Sequence, residues 1–294
     1  MRPAVSSSAP GTAAPARERR AAARKRSPAG LRVHRLERAP DDGYRSGLVP
    51  GLRASADAER LAEEIGFAVA RLRVLAEDPP GSYAEVACGE DVEERAWLAF
   101  LIAYLCPLDD EDPFASIRAV RADLSALHDA ATGPRAAHDP TRGQQTINAY
   151  RAWAERAGSQ AQAFVGDPGW SAERRFSRVF ERLALPGFQR DARFELLVTL
   201  GRLGVFELQA GALELGGPSD VTAAAKRVFG IGDPLLLERR AAALAQACGV
   251  PLEALDVALF NWALPPGRGE RALLGVSADP DSATVAAARA ALQR

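Results

Sequence analysis

Lysine is almost missing from this chain: only Lys25 and Lys226 break an otherwise all-arginine set of basic residues. Much of that bias matches the abundance of Ala, Gly, Pro and Arg as a whole, so arginine by itself says little about phosphate binding. Cysteine is equally sparse. Cys88, Cys106 and Cys248 stand far apart with no CxxC spacing, which excludes a structural zinc site, an iron–sulfur cluster and a disulfide framework. Cys106 and Cys248 read as small apolar residues on buried helix faces. No hydrophobic run is long enough for a membrane: the longest, from Ala96 to Cys106, covers about half of the roughly 20 residues a bilayer needs. No apolar stretch follows the basic residues near the start, so a secretory signal is not expected and the cytoplasm is the default location. Histidine is confined to His34, His128 and His138, none with a zinc-ligand partner and all expected to face solvent. Convincing strand alternation is lacking too. The closest approaches are Val205–Leu208 and Leu213–Leu215, each long enough for a short extended piece only.

What is present is a charge asymmetry and a succession of helices. Residues 1–40 hold ten Lys/Arg against Glu18 and Glu37, a local net of +8; the whole chain carries −1, so the rest carries −9. Residues 1–45 have few large apolar side chains and are expected to form a disordered basic tail, either solvated or able to grip nucleic acid. From about residue 50 to 265 the apolar spacing is helical. Leu61, Ile65, Val69 and Leu72 form one stripe on a helix over about 57–77, and a core helix follows over about 91–106. Asp112 with Pro113 predicts a third start, carrying Ile117, Val120 and Leu124. After a polar loop over 128–143, helices are expected near 144–157 (Ile147, Tyr150, Trp153), from Ser171 to Leu183, and over about 190–202. Residues 266–294 read as a linker and a short helix. The fold class is all-α.

The densest punctuation lies between Ser219 and Ala263. Ser219 or Asp220 caps a short helix to Val228, and Gly230 and Gly232 permit a tight turn. Asp233-Pro234 then makes an N-cap and first-turn pair for a helix to about Ala247. Gly249 ends it, and Pro251 begins another carrying Leu252, Leu255, Leu259 and Trp262. On these residues alone the hairpin is equally a plain corner between two helices.

Two helices joined by Phe229-Gly230-Ile231-Gly232 resemble the helix-hairpin-helix element of the DNA glycosylase superfamily. Together with Glu94–Leu105, Phe194–Gly204 and the block from Lys226 to Trp262, the chain looks most like the alpha-glutamyl/putrescinyl thymine pyrophosphorylases, over about residues 85–265. The resemblance implies a glycosylase-like helical domain acting on DNA. An amine, or an amino acid as co-substrate, would displace pyrophosphate from an activated 5-hydroxymethyluracil; no cofactor is implied. It also points to Asp256, 24 residues after Gly232, as the catalytic acid that opens the helix following the hairpin. Gly230, Gly232 and Lys226 would contact DNA or phosphate. Arg190, Arg193 and Arg202 would contact pyrophosphate or the DNA backbone, unless they form a surface face paired with Asp191 and Glu195. The chain departs from the pattern at Asp233-Pro234, which adds a negative charge and removes an N–H where a phosphate would dock. Pro234 also stands near the place where lyase-competent glycosylases carry a Schiff-base lysine. Alternatives left open are a monofunctional glycosylase excising a modified base, a non-catalytic nucleic-acid-binding module, and a helical interaction domain. Asp109–Asp112 reads either as a divalent-ion site or as a solvated loop.

Overall fold

In the computed structural model, residues 39–264 and 271–293 are described. The tail expected over residues 1–45 lies outside the described residues up to residue 38, and His34 with it. Twelve α-helices occur among the described residues, and no strand.

The first, α1 (Ser55–Glu77), buries Leu61, Ile65 and Leu72 as their spacing predicts, and packs along two later helices, α11 (Ala254–Trp262) and α12 (Ser282–Leu292). Every residue of α11 is buried, as its lack of a continuous polar face allows, and it lies along α1. Its end is tied down by Arg60, whose Nη2 donates to Asn261 O (3.1 Å) and Leu264 O (3.2 Å), and by Trp262 Nε1 donating to Asp57 O (3.0 Å). Trp262 therefore belongs to the core. Residues 271–293 return to the same core: Asn261 bonds both backbone groups of Ala272, and Arg271 grips the Glu64 carboxylate at 2.8 and 3.1 Å.

A second layer is built on α3 (Val92–Leu105), which packs on α8 (Arg190–Arg202). Phe100 stacks 3.8 Å from Tyr150 of α5 (Gly143–Ala157), with Trp97, Tyr104 and Phe188 around it. Short helices complete this layer: α2 (Ser82–Cys88), α4 (Ala115–Ala122), α6 (Gln160–Val165) and α7 (Ala172–Arg182). α2 and α6, at seven and six residues, are too short to show a periodic stripe, and neither was expected.

Three expectations need correction. The helix expected at Asp112-Pro113 begins at Ala115, because Asp112 pairs with Arg118 and residues 109–114 are spent in turns; Asp112 gives only its backbone carbonyl to Ala115. Val205–Leu208 and Leu213–Leu215 form no strand. They run as irregular loop, held in the second case by Glu238, whose carboxylate accepts from Leu213 N (2.7 Å) and Leu215 N (2.6 Å). Finally, His138 is half-buried rather than solvated. Its Nδ1 lies 3.1 Å from the Tyr104 hydroxyl, and burial holds its pKa below the ordinary histidine value.

The Glu238 clamp yields a prediction. Glu238→Ala leaves two loop N–H groups without their charged acceptor, a loss of about 2 kcal/mol. It is expected to raise hydrogen exchange at Leu213 and Leu215 selectively, which amide-resolved exchange measures.

Candidate functional site

The hairpin forms as the sequence predicts. α9 (Asp220–Phe229) is capped by Ser219, which accepts from Thr222 N at 3.0 Å, and α10 (Pro234–Cys248) by Asp233, which accepts from Leu236 N at 2.9 Å. Gly230 ends α9 in the left-handed conformation, φ +64°. Its turn is covered by the segment before α1: Gly51 N donates to Val228 O at 3.0 Å, and a Cβ on Gly51 would lie 1.8 Å from Arg227 O. Only glycine fits there, because the obstacle is backbone. Gly232 and Lys226 are exposed, and Gly232 has open space around it.

Asp256, on the first turn of α11, is only 1% exposed. Arg135 Nη2 donates to its Oδ2 at 2.6 Å, and Arg190 Nη1 donates to its Oδ1. Arg190 also bonds Asp191 (3.0 Å), the Leu213 carbonyl and Glu214 O (3.4 Å), and lies over the Phe194 ring. Arg135 reaches the other way, to Glu195 Oε2 at 3.3 Å, and stacks over Phe260. Glu195 in turn accepts from Arg71 Nη2 at 2.6 Å and from the Thr199 hydroxyl at 3.4 Å. Tyr83 accepts from Arg71 (3.3 Å) and donates to Leu274 O (3.0 Å). Three guanidinium groups and three carboxylates thus interlock at the junction of α1, α8, α11 and the loop after α4.

The electrostatics follow from this geometry. Burial alone would raise the Asp256 pKa, but Arg190 and Arg135 outweigh it and hold the carboxyl below the ordinary aspartate range. The guanidinium of Arg135, likewise penalised by burial, is stabilised by Asp256, Asp191 and Glu195 and stays charged. Such a cluster is expensive to bury and is retained only when its pairing is nearly complete.

Pairing here is not quite complete. Nε and Nη1 of Arg71 and Nε of Arg135 have no hydrogen-bond partner among the described residues. Arg135 also lines a cavity of about 10 Å³ with Cys106, Pro107, Asp191, Glu195 and Leu274. That volume admits roughly one water-sized acceptor.

Arg135 went unnoticed in the sequence because it lies in a loop with no periodicity. The signal that places it is Gly133, which approaches the end of α3 so closely that a Cβ would sit 2.0 Å from Pro107 O. Gly133 N donates to Leu105 O and Cys106 O, and Ala137 N to Tyr104 O, pinning the loop on either side of Arg135. Cys106 caps α3 at φ +58°, and burial pushes its thiol up to about 12, so it is an inert wall of the cavity.

The other candidates divide. Arg190 joins Asp256, and is turned inward onto that carboxylate instead of lining an open cleft. Arg193 lies over Phe180 and donates to Phe180 O at 3.1 Å, while Arg202 pairs with Glu253. Neither joins the Asp256 cluster, and the hairpin residues Gly230, Gly232 and Lys226 are not part of it either. No group of three His, Cys, Asp or Glu residues able to hold a metal ion occurs among the described residues.

A second, larger concavity of about 450 Å³ lies at the start of α3, lined by Trp97, Tyr150, Arg151, Glu93, Glu155 and Gln160 among others. Trp97 is half-buried beneath Arg151 there, which makes it partly a surface residue and partly core.

Comparisons with known protein families, curated proteins and solved structures give no match for this chain.

Proposed function

We propose that this chain is a DNA base-modifying enzyme of glycosylase-like architecture, in which an amine displaces pyrophosphate from activated 5-hydroxymethyluracil. The observation that carries the proposal is the position of Asp256: on the first turn of the helix that follows the glycine hairpin, held between Arg190 and Arg135. In the displacement, the amine nitrogen lone pair forms a bond to the 5-methylene carbon. The carbon–oxygen bond to pyrophosphate breaks with its electron pair, and the new ammonium loses a proton.

Both oxygens of Asp256 are taken by arginine, so its carboxylate serves as a positioning group that fixes two guanidinium groups. The leaving pyrophosphate is an anion, and arginine is the side chain whose fork geometry suits it. Arg135, whose Nε has no hydrogen-bond partner among the described residues, keeps one N–H to donate to a further oxygen.

The test is nucleoside mass spectrometry after incubating the protein with hydroxymethyluracil DNA, an activating kinase and glutamate or putrescine. The expected result is a nucleoside heavier by the amine adduct. Release of a free base would establish the excision alternative instead. Unchanged nucleosides from DNA that the protein demonstrably binds would favour the non-catalytic module, a reading supported by how completely Asp256 is sealed from solvent.

A further inference from the structure

Large apolar side chains are rarely left in water beside one another. Among the described residues the exposed ones are Val165, Leu235 and Leu236, so two of the three adjoin, at 76% and 41% exposure, on the first turn of α10. Pro234 is exposed beside them and Ile231 of the turn is half-buried, giving the hairpin an apolar tip. Packing does not require this, since the buried face of α10 is already supplied by Leu237, Ala241 and Leu244.

The rim of the tip carries three basic side chains, against the single carboxylate of Asp233 at the helix start. Arg239 and Arg240 follow Leu235 and Leu236 by four residues, so each lies on the same stripe one turn on. Both are exposed, as is Lys226 across the hairpin; Arg240 also donates one Nη1 hydrogen bond to Gly47 O at 2.6 Å, which leaves its other N–H groups outward. Glu238, the one carboxylate within that stretch of α10, turns inward to Leu213 and Leu215 and does not cancel them at the tip. Meanwhile the ordinary phosphate grip of a helix start is weakened: Pro234 has no N–H, and Asp233 takes the N–H of Leu236.

We infer that the hairpin engages DNA through an apolar wedge, Leu235 and Leu236 entering between base steps while Lys226, Arg239 and Arg240 meet the flanking phosphates. An apolar centre with a basic rim complements a polyanion whose interior is stacked bases. The inference rests on DNA being the partner, as proposed above, and names the surface and the mode of contact.

The experiment uses the full chain and a duplex carrying 2-aminopurine at its centre, with wild type, Leu235→Ser/Leu236→Ser and Arg239→Gln compared by anisotropy, fluorescence and sedimentation. Wild type is expected to raise the 2-aminopurine signal on binding. The double serine variant should keep its thermal midpoint, because the replaced side chains are exposed, and lose about tenfold in affinity together with the fluorescence rise. Arg239→Gln should lower the salt slope by about one. Equal affinity and an equal fluorescence rise in the serine variant would overturn the wedge while leaving DNA binding intact. So would a wild-type dimer that the serine variant abolishes without loss of DNA affinity, which assigns the patch to a second copy. No wild-type binding to any duplex at low salt would overturn the DNA partnership itself.

Discussion

Asp256→Asn is expected to cost the protein about 3–5 kcal/mol of stability, the loss typical of removing one partner from a buried charge cluster. The substitution keeps volume and shape, so the loss is electrostatic. Asn removes the charge that balances Arg190 and leans on Arg135, and both guanidinium groups remain buried. For a chain of this size the thermal midpoint should fall by roughly 10 °C. The pH dependence carries the sign. Because the folded-state pKa of Asp256 is depressed, its contribution is present above the ordinary aspartate pKa and is lost as pH falls through the folded value. Wild type should therefore approach the variant in stability as the solution is acidified below about pH 4. Denaturant melts at pH 7 and pH 3 measure both effects.

The second large effect is expected at Phe100. It is fully buried and makes ring contacts with Trp97, Tyr104, Tyr150 and Phe188, so three segments (α3, α5 and the loop before α8) meet on one side chain. Phe100→Ala should cost about 3–5 kcal/mol from lost burial and the cavity left behind. Phe100→Leu fills most of the space and should recover about half. Equilibrium urea unfolding distinguishes them, with unchanged m-values expected if the native layer of α3 on α5 survives.

These two residues show which parts of the molecule could be read from sequence. Phe100 lies in an unbroken apolar run, so its burial follows from composition alone. The hairpin was equally legible, since Ser219, Gly230, Asp233 and Gly249 each have a stereochemical reason to start or stop a helix, and each does so. Asp256 was reached only through a resemblance, and Arg190 was one of three arginines on the same helix with nothing to separate them. Arg135 and Glu195 could not be paired from sequence, because they stand sixty positions apart and Arg135 belongs to no motif. Long-range ion pairing leaves no periodic trace. The trace that the sequence does carry is a loop glycine, Gly133, two residues before an isolated loop arginine, Arg135, ahead of α5.

The interlocked charges also explain why a carboxylate implied to react is found sealed. Held between Arg190 and Arg135, the Asp256 carboxylate stays ionised although it is buried. That conclusion makes Asp256 a strut of the site, and it is open to direct measurement.

The decisive measurement is a double-mutant cycle of Arg190→Met and Asp256→Leu, read by urea unfolding at pH 7. Arg135 keeps Glu195 in every member of the cycle, and Asp191 loses Arg190 in the single and the double variant alike, so that loss cancels in the coupling between the two mutated sites. Each single change should destabilise by several kcal/mol, and the double change should restore at least 2 kcal/mol of their summed loss. Strictly additive losses would show that Asp256 is not held by Arg190, and would contradict the account of the site built on that clamp.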